Sequence, residues 1–131
     1  MKCVRVLLIE DNQLLRWWMT RSLAQEGLEV VAPPTVEQGL RLGTTHPFDI
    51  LVTDWQLADG HDGFQVLAAV RRSFPNTVSI LISAIVDPEL RRRGMLAGFD
   101  RIIQKPLQVK DITAAIPGGG GADGVRSKPG N

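Results

Sequence analysis

Three acids, one hydroxyl and one lysine stand where short apolar runs stop. Glu10 and Asp11 follow Val6-Leu7-Leu8-Ile9, Asp54 follows Ile50-Leu51-Val52-Thr53, Ser83 closes Ile80-Leu81-Ile82, and Lys105 follows residues 101–104. If those ends meet, three carboxylates crowd one point. At ~4 Å and an effective dielectric of 20, each like-charge pair costs about 4 kcal/mol at most. One lysine does not offset three acids. A hard divalent cation does, and oxygen-only ligands with room for water suit Mg²⁺. An aspartate beside such a cation can attack a phosphoryl group and form an acyl phosphate. Mg²⁺ and Lys105 would then neutralise charge building on the phosphoryl oxygens, and Ser83 would donate a hydrogen bond to one of them. Each residue also has a plainer role. Glu10-Asp11 suit a helix N-terminus, Asp54 a turn, Ser83 a hydrogen-bonded strand end, and Lys105 a solvated loop.

The chemistry therefore depends on elements that bring four chain segments to one place. Residues 4–9, 29–32, 48–53, 78–83 and 101–104 are short, apolar and rich in branched side chains, and read as strands. Helices are predicted at 13–26, 35–44, 64–74, 87–98 and 109–116. Asp11-Asn12 signals the first start, Thr35-x-x-Gln38 matches a capping box, and Asp87-Pro88 opens the fourth. In the first helix Leu15, Trp18, Met19, Ser22 and Leu23 share one face and Trp17 falls off it. Between the third strand and third helix, Asp59-Gly60 and Asp62-Gly63 are turn signals. Strictly alternating strand and helix argues for a doubly wound parallel sheet, α/β in class, with helices on both faces. In such sheets ligands sit beyond the carboxyl ends of the strands. In the strand order 2-1-3-4-5 the four polar ends belong to neighbouring strands. The apolar end, Ala32-Pro33-Pro34, falls on the edge strand.

Length and charge narrow the function classes. A chain of 131 residues is one domain. Lys plus Arg is 15 and Asp plus Glu is 14, a net charge of +1 that gives no nucleic-acid footprint. The single Cys3 excludes an internal disulfide and a multi-Cys zinc site. No apolar run approaches the ~20 residues of a membrane span, and the N-terminus does not read as a signal peptide. We expect a domain over residues 1–116. Residues 117–131, dominated by Gly and Pro, are expected to be a flexible tail or truncated linker. Arg91-Arg92-Arg93 reads as a solvated helix face, and His46 and His61 as loop residues without companion ligands.

The segments Leu7-Leu8-Ile9-Glu10-Asp11-Asn12, Ile50-Leu51-Val52-Thr53-Asp54, Ile80-Leu81-Ile82-Ser83-Ala84 and Lys105-Pro106 resemble those of response-regulator receiver domains in two-component signalling. The resemblance runs from residue 4 to about 116. It implies a flavodoxin-like three-layer sandwich with a five-stranded sheet in the order 2-1-3-4-5. It also implies a phosphoprotein of a cytoplasmic phosphorelay. A sensor histidine kinase or phosphotransfer protein would donate to Asp54. Mg²⁺ would be held by Glu10, Asp11, Asp54 and the backbone carbonyl of Gln56. Ser83 would be the switch hydroxyl and Lys105 the phosphoryl contact. The Lys105-Pro106 peptide is expected cis. Partner binding would be switched by phosphorylation, with no direct contact to nucleic acid or membrane, and a homodimer is compatible with the family.

Two departures from the family pattern matter. Residues 55–63 form a loop one residue longer than usual, with Leu57-Ala58 where Met-Pro commonly stands. Ile102 replaces the aromatic residue that usually precedes the lysine by three and turns inward on activation. Ile102 is stiff at its first torsion and has no hydroxyl, so coupling from Asp54 to the outer face of the fourth helix, fifth strand and fifth helix is expected to be weaker, or carried by motion of the fourth helix alone. Such a module assists its own phosphorylation but is not an enzyme acting on a separate substrate. The main alternative is a degenerate receiver working by phosphorylation-independent protein interaction. A haloacid-dehalogenase-type phosphatase would need a carboxylate where Gln56 stands. A flavodoxin-type FMN carrier would need a phosphate cradle where Glu10-Asp11 would repel the phosphate.

Overall fold

Every predicted strand and helix forms, in order, in a computed structural model that describes residues 3–105 and 108–115. The elements are β1 (Arg5–Ile9), α1 (Gln13–Gln25), β2 (Glu29–Val31), α2 (Val36–Thr45), β3 (Ile50–Asp54), α3 (Gly63–Ser73), β4 (Val78–Ser83), α4 (Pro88–Ala97), β5 (Arg101–Gln104) and α5 (Val109–Thr113). A 3₁₀ turn, Ala58–Gly60, lies between β3 and α3. The strands make one parallel sheet in the order β2-β1-β3-β4-β5. Pro106 and the tail 117–131 lie outside the described residues, so the expected cis peptide and the expected tail are not addressed by the structure. Among the described residues no helix is long and apolar enough to cross a membrane.

Strand alternation divides the core in two. Leu7, Ile9, Leu51, Leu81 and Ile102 pack with Val36 of α2, Val66, Leu67 and Val70 of α3, and Leu90 of α4. Val6, Leu8, Ile50, Val52, Ile80 and Ile82 pack on the other face with Met19 and Leu23 of α1 and Ile112 of α5. Both faces of the strands are covered, which is why the runs are apolar throughout and show no period of two. The caps follow the sequence. The side chains of Asn12, Thr35, Asp62 and Asp87 accept backbone N–H groups at the starts of α1, α2, α3 and α4. Asp62, read from sequence as a turn residue, forms a full capping box with Gln65. Gly98 ends α4 in the left-handed region, at φ 102°.

Two glycines let helices approach the sheet closely. A Cβ on Gly63 would stand 2.6 Å from the carbonyl oxygen of Asp54, and one on Gly94 would stand 2.5 Å from Cδ1 of Ile102. The first sets α3 directly behind the end of β3. The second presses α4 onto β5. On α1 the expected apolar face is narrower than the periodicity suggested: Met19 and Leu23 are buried, but Trp18 is 42% exposed; Trp17, off that face in the sequence, is exposed as expected.

Candidate functional site

Lys105 joins the ends of β1 and β3. Its Nζ donates a hydrogen bond to Oδ2 of Asp54 at 2.8 Å and lies 3.0 Å from Oε1 of Glu10. The backbone N–H of Lys105 donates to the carbonyl of Ser83 at 2.7 Å, so β5 delivers its lysine while tied to the end of β4. Glu10 is 3% exposed, although it is the first residue past an apolar strand. Its Oε2 accepts the N–H of Asn12 at 2.9 Å, and Arg16 donates to its carbonyl oxygen at 2.9 Å. Asp54 is held from behind by the turn that follows it, where the N–H of Gly63 donates to the carbonyl of Trp55 at 2.8 Å.

Burial raises the pKa of the Glu10 carboxyl by stripping water from its charged form, and the charge of Asp54 adds to that. The Asn12 amide and the Lys105 ammonium act against it without cancelling it. Burial pulls the Lys105 ammonium down, but the hydrogen bond to Asp54 and the contact with Glu10 outweigh it, and the net shift is upward. Oε1 of Glu10 is buried and accepts no hydrogen bond; its contact with Lys105 is one of charge without hydrogen-bond alignment. An orphaned buried carboxylate oxygen next to a second carboxylate, with oxygen donors only, fits a hard cation in donor type.

Of the three acids expected to converge, two meet at one lysine, and the third stands at the surface beside one of them in sequence. Among the described residues no group of three or more His, Cys, Asp or Glu stands close enough to hold a metal ion. Glu10 and Asp54 share Lys105, while Asp11 is exposed. Gln56 is exposed on the loop after Asp54 and bridges, in antiparallel fashion, to Asp62. The same loop carries Asp59 at φ 60°, the left-handed residue that the Asp59-Gly60 turn signal anticipated.

Ser83 is buried at the end of β4, and its hydroxyl is engaged locally. It donates to the carbonyl of Ile85 at 2.9 Å and accepts the N–H of Ile85 at 3.3 Å. Sequence reasoning passed over Gln104, whose Oε1 accepts the N–H of Val86 at 2.9 Å. A polar side chain directly before Lys105, after Ile102-Ile103, was the available signal. Arg16 and Asn12 were also passed over as supports of Glu10.

The arginine run on α4 divides its roles. Arg92 pairs with Glu89 at 2.8 Å. Arg93 stacks on the rings of Phe64, 5.0 Å to the centroid, and of Trp55, 5.8 Å. The guanidinium of Arg93 therefore connects α4 to the residue that follows Asp54. His61 contacts Glu37 at 3.2 Å, in line with a loop role.

Comparison with known proteins agrees with this arrangement. Residues 6–117 match the model of the response regulator receiver domain. The cell cycle response regulator CtrA of Brucella ovis is 31% identical over 113 residues, covering 86% of this chain and 48% of that protein, so the chain spans about half the length of the curated relatives it matches. The non-phosphorylated HemR receiver domain from Leptospira biflexa superimposes with a TM-score of 0.75 at 26% identity, over 86% of this chain and 90% of that one. A Burkholderia pseudomallei response regulator protein, solved with a phosphorylated aspartic acid, calcium ion and citrate, gives a TM-score of 0.80 at 20% identity, over 89% of this chain and 68% of that one. With its motifs at the strand ends and its sheet order shared with this family, the chain belongs to the receiver domains of two-component response regulators.

Proposed function

We propose that Asp54 accepts a phosphoryl group from a sensor histidine kinase or phosphotransfer protein and that the acyl phosphate switches partner binding. The observation that carries this reading is Lys105 bridging Asp54 and the buried Glu10 across three strand ends. A carboxylate oxygen of Asp54 attacks phosphorus, the bond from phosphorus to the donor nitrogen breaks, and that nitrogen keeps the electron pair. The Lys105 ammonium, held beside the acceptor, balances charge gathering on the phosphoryl oxygens. Glu10 is kept from drifting by Asn12 and Arg16. Glu10, Asp11, Asp54 and the carbonyl of Gln56 would hold Mg²⁺, which supplies Lewis-acid charge neutralisation when bound. Receiver domains are generally signalling modules that do not turn over a separate substrate, and the phosphorylated aspartic acid and calcium ion of the Burkholderia protein support the same use of this site. The relatives' cell-cycle role belongs to proteins about twice as long.

Incubation with acetyl phosphate and Mg²⁺ tests the reading. A hydroxylamine-labile mass increase of one phosphoryl group is expected, absent from Asp54→Asn. A shift that survives in Asp54→Asn, or its absence from the native chain, overturns it and leaves the phosphorylation-independent receiver.

A further inference from the structure

The hydroxyl of Ser83 does not face a free acceptor position: its proton is committed to the carbonyl of Ile85 at 2.9 Å, and it accepts the N–H of Ile85 at 3.3 Å. Those two bonds hold Ile85, in the loop between β4 and α4, to the end of β4. A third bond closes the arrangement from the neighbouring strand. Oε1 of Gln104, on β5, accepts the N–H of Val86 at 2.9 Å. Gln104 is exposed and packs nothing into the core, so its described role is this bond. It is also the residue before Lys105, whose own N–H is bonded to the Ser83 carbonyl at 2.7 Å. The loop after β4 is thus tied to β5 through Gln104, while the next residue, the lysine of the site, is tied to the end of β4 itself.

We infer that Gln104 is a positioning residue that latches the loop after β4 in the arrangement where Ser83 is turned onto Ile85. The inference rests on the reading of Asp54 as phosphoryl acceptor. For Ser83 to donate to a phosphoryl oxygen on Asp54, its bond to Ile85 must break and the loop must shift. The Val86 to Gln104 bond opposes that shift, because it holds the residue next to Ile85 against β5. Binding of a phosphoryl group therefore works against the latch, and the latch sets part of the balance between the two loop arrangements. Ile102 contributes no aromatic turn to that balance. It is buried beneath Gly94, with no room between α4 and β5.

The test uses beryllofluoride with Mg²⁺ as the phosphoryl mimic, on the native chain, Gln104→Met and Gln104→Glu. Methionine keeps the length of the side chain and removes the acceptor, while glutamate keeps an acceptor oxygen. Gln104→Met is expected to bind beryllofluoride about fivefold more tightly, the equivalent of the ~1 kcal/mol that a typical hydrogen bond contributes. The Val86 amide is expected to lose its hydrogen-exchange protection in that variant and to retain it in Gln104→Glu. Should methionine disturb folding, Gln104→Ala removes the same acceptor with less bulk. Unchanged or weaker beryllofluoride affinity in a folded variant that has lost Val86 protection overturns the inference, as does a Val86 amide equally protected without the glutamine. A native chain that binds no beryllofluoride overturns the acceptor reading, whereas the Val86 exchange data read the Gln104 bond without the mimic and so tell the two failures apart.

Discussion

Adding one methyl group at Gly63 probes whether the backbone behind Asp54 matters to the site. A Cβ there would meet the Asp54 carbonyl oxygen at 2.6 Å, Cδ1 of Leu81 at 2.9 Å and Cγ2 of Thr53 at 3.2 Å. The leucine methyl can rotate away. The carbonyl cannot, because Asp54 is still in β3, paired with Ile82 of β4, and the N–H of Trp55 already donates to the Ile82 carbonyl at 2.9 Å. Either α3 retreats or the end of β3 does. Overpacking of this kind costs roughly 1–3 kcal/mol, and the better helix propensity of alanine returns only a fraction of that at the first position of α3. At about 4 °C per kcal/mol for a domain of this size, Gly63→Ala should lower Tm by about 4–12 °C. It should also slow phosphorylation from acetyl phosphate, because the displaced backbone is that of the acceptor. Gly27→Ala is the control. Gly27 has φ +87° and no atom within 4 Å of a built Cβ, so its cost is the left-handed backbone alone, about 1–2 kcal/mol. Gly27→Ala should lose stability while keeping the native phosphorylation rate. A Gly63→Ala variant with native Tm and native rate would refute the reasoning.

Two further perturbations read the electrostatics. Lys105→Ala leaves the buried Glu10 carboxylate and Asp54 without their shared cation; stability at neutral pH should fall by roughly 1–3 kcal/mol, less than for a fully buried pair because the lysine is 21% exposed. The loss should shrink when Glu10→Gln is already present, and strict additivity in that double-mutant cycle would count against the bridge. The Glu37 carboxyl is held below its ordinary value of 4.5, first by its own backbone N–H and then by His61. The sign follows from linkage: a carboxyl lowered in the folded state contributes stability above the unfolded value and loses it as pH falls through the folded value. Carboxyl titration by NMR should place Glu37 below 4.5, with part of the depression lost in His61→Ala; an unshifted titration would remove this contact from the account.

The sequence by itself determined the fold class and which residues stand at the strand ends. Five apolar runs buried on both faces, separated by capped helices, admit few arrangements once crossovers are right-handed. The residues just past those runs had to meet at one edge. Element boundaries moved by a residue or two, as at β3, where Asp54 itself remains in the strand. Only the tertiary structure decided how those residues are arranged. That Glu10 is buried while Asp11 beside it is exposed depends on the path of the chain between β1 and α1, and periodicity carries no information on that. Whether Trp18 is buried depends on how wide a face α1 can press against the sheet. The partners of Ser83, Gln104 and Arg93 are set by loop paths and by the close approach of α4 over Gly94. Spacing along the chain specifies which side chains leave a strand end. The hydrogen bonds they find there depend on distances of a few tenths of an ångström between segments that the sequence places dozens of residues apart.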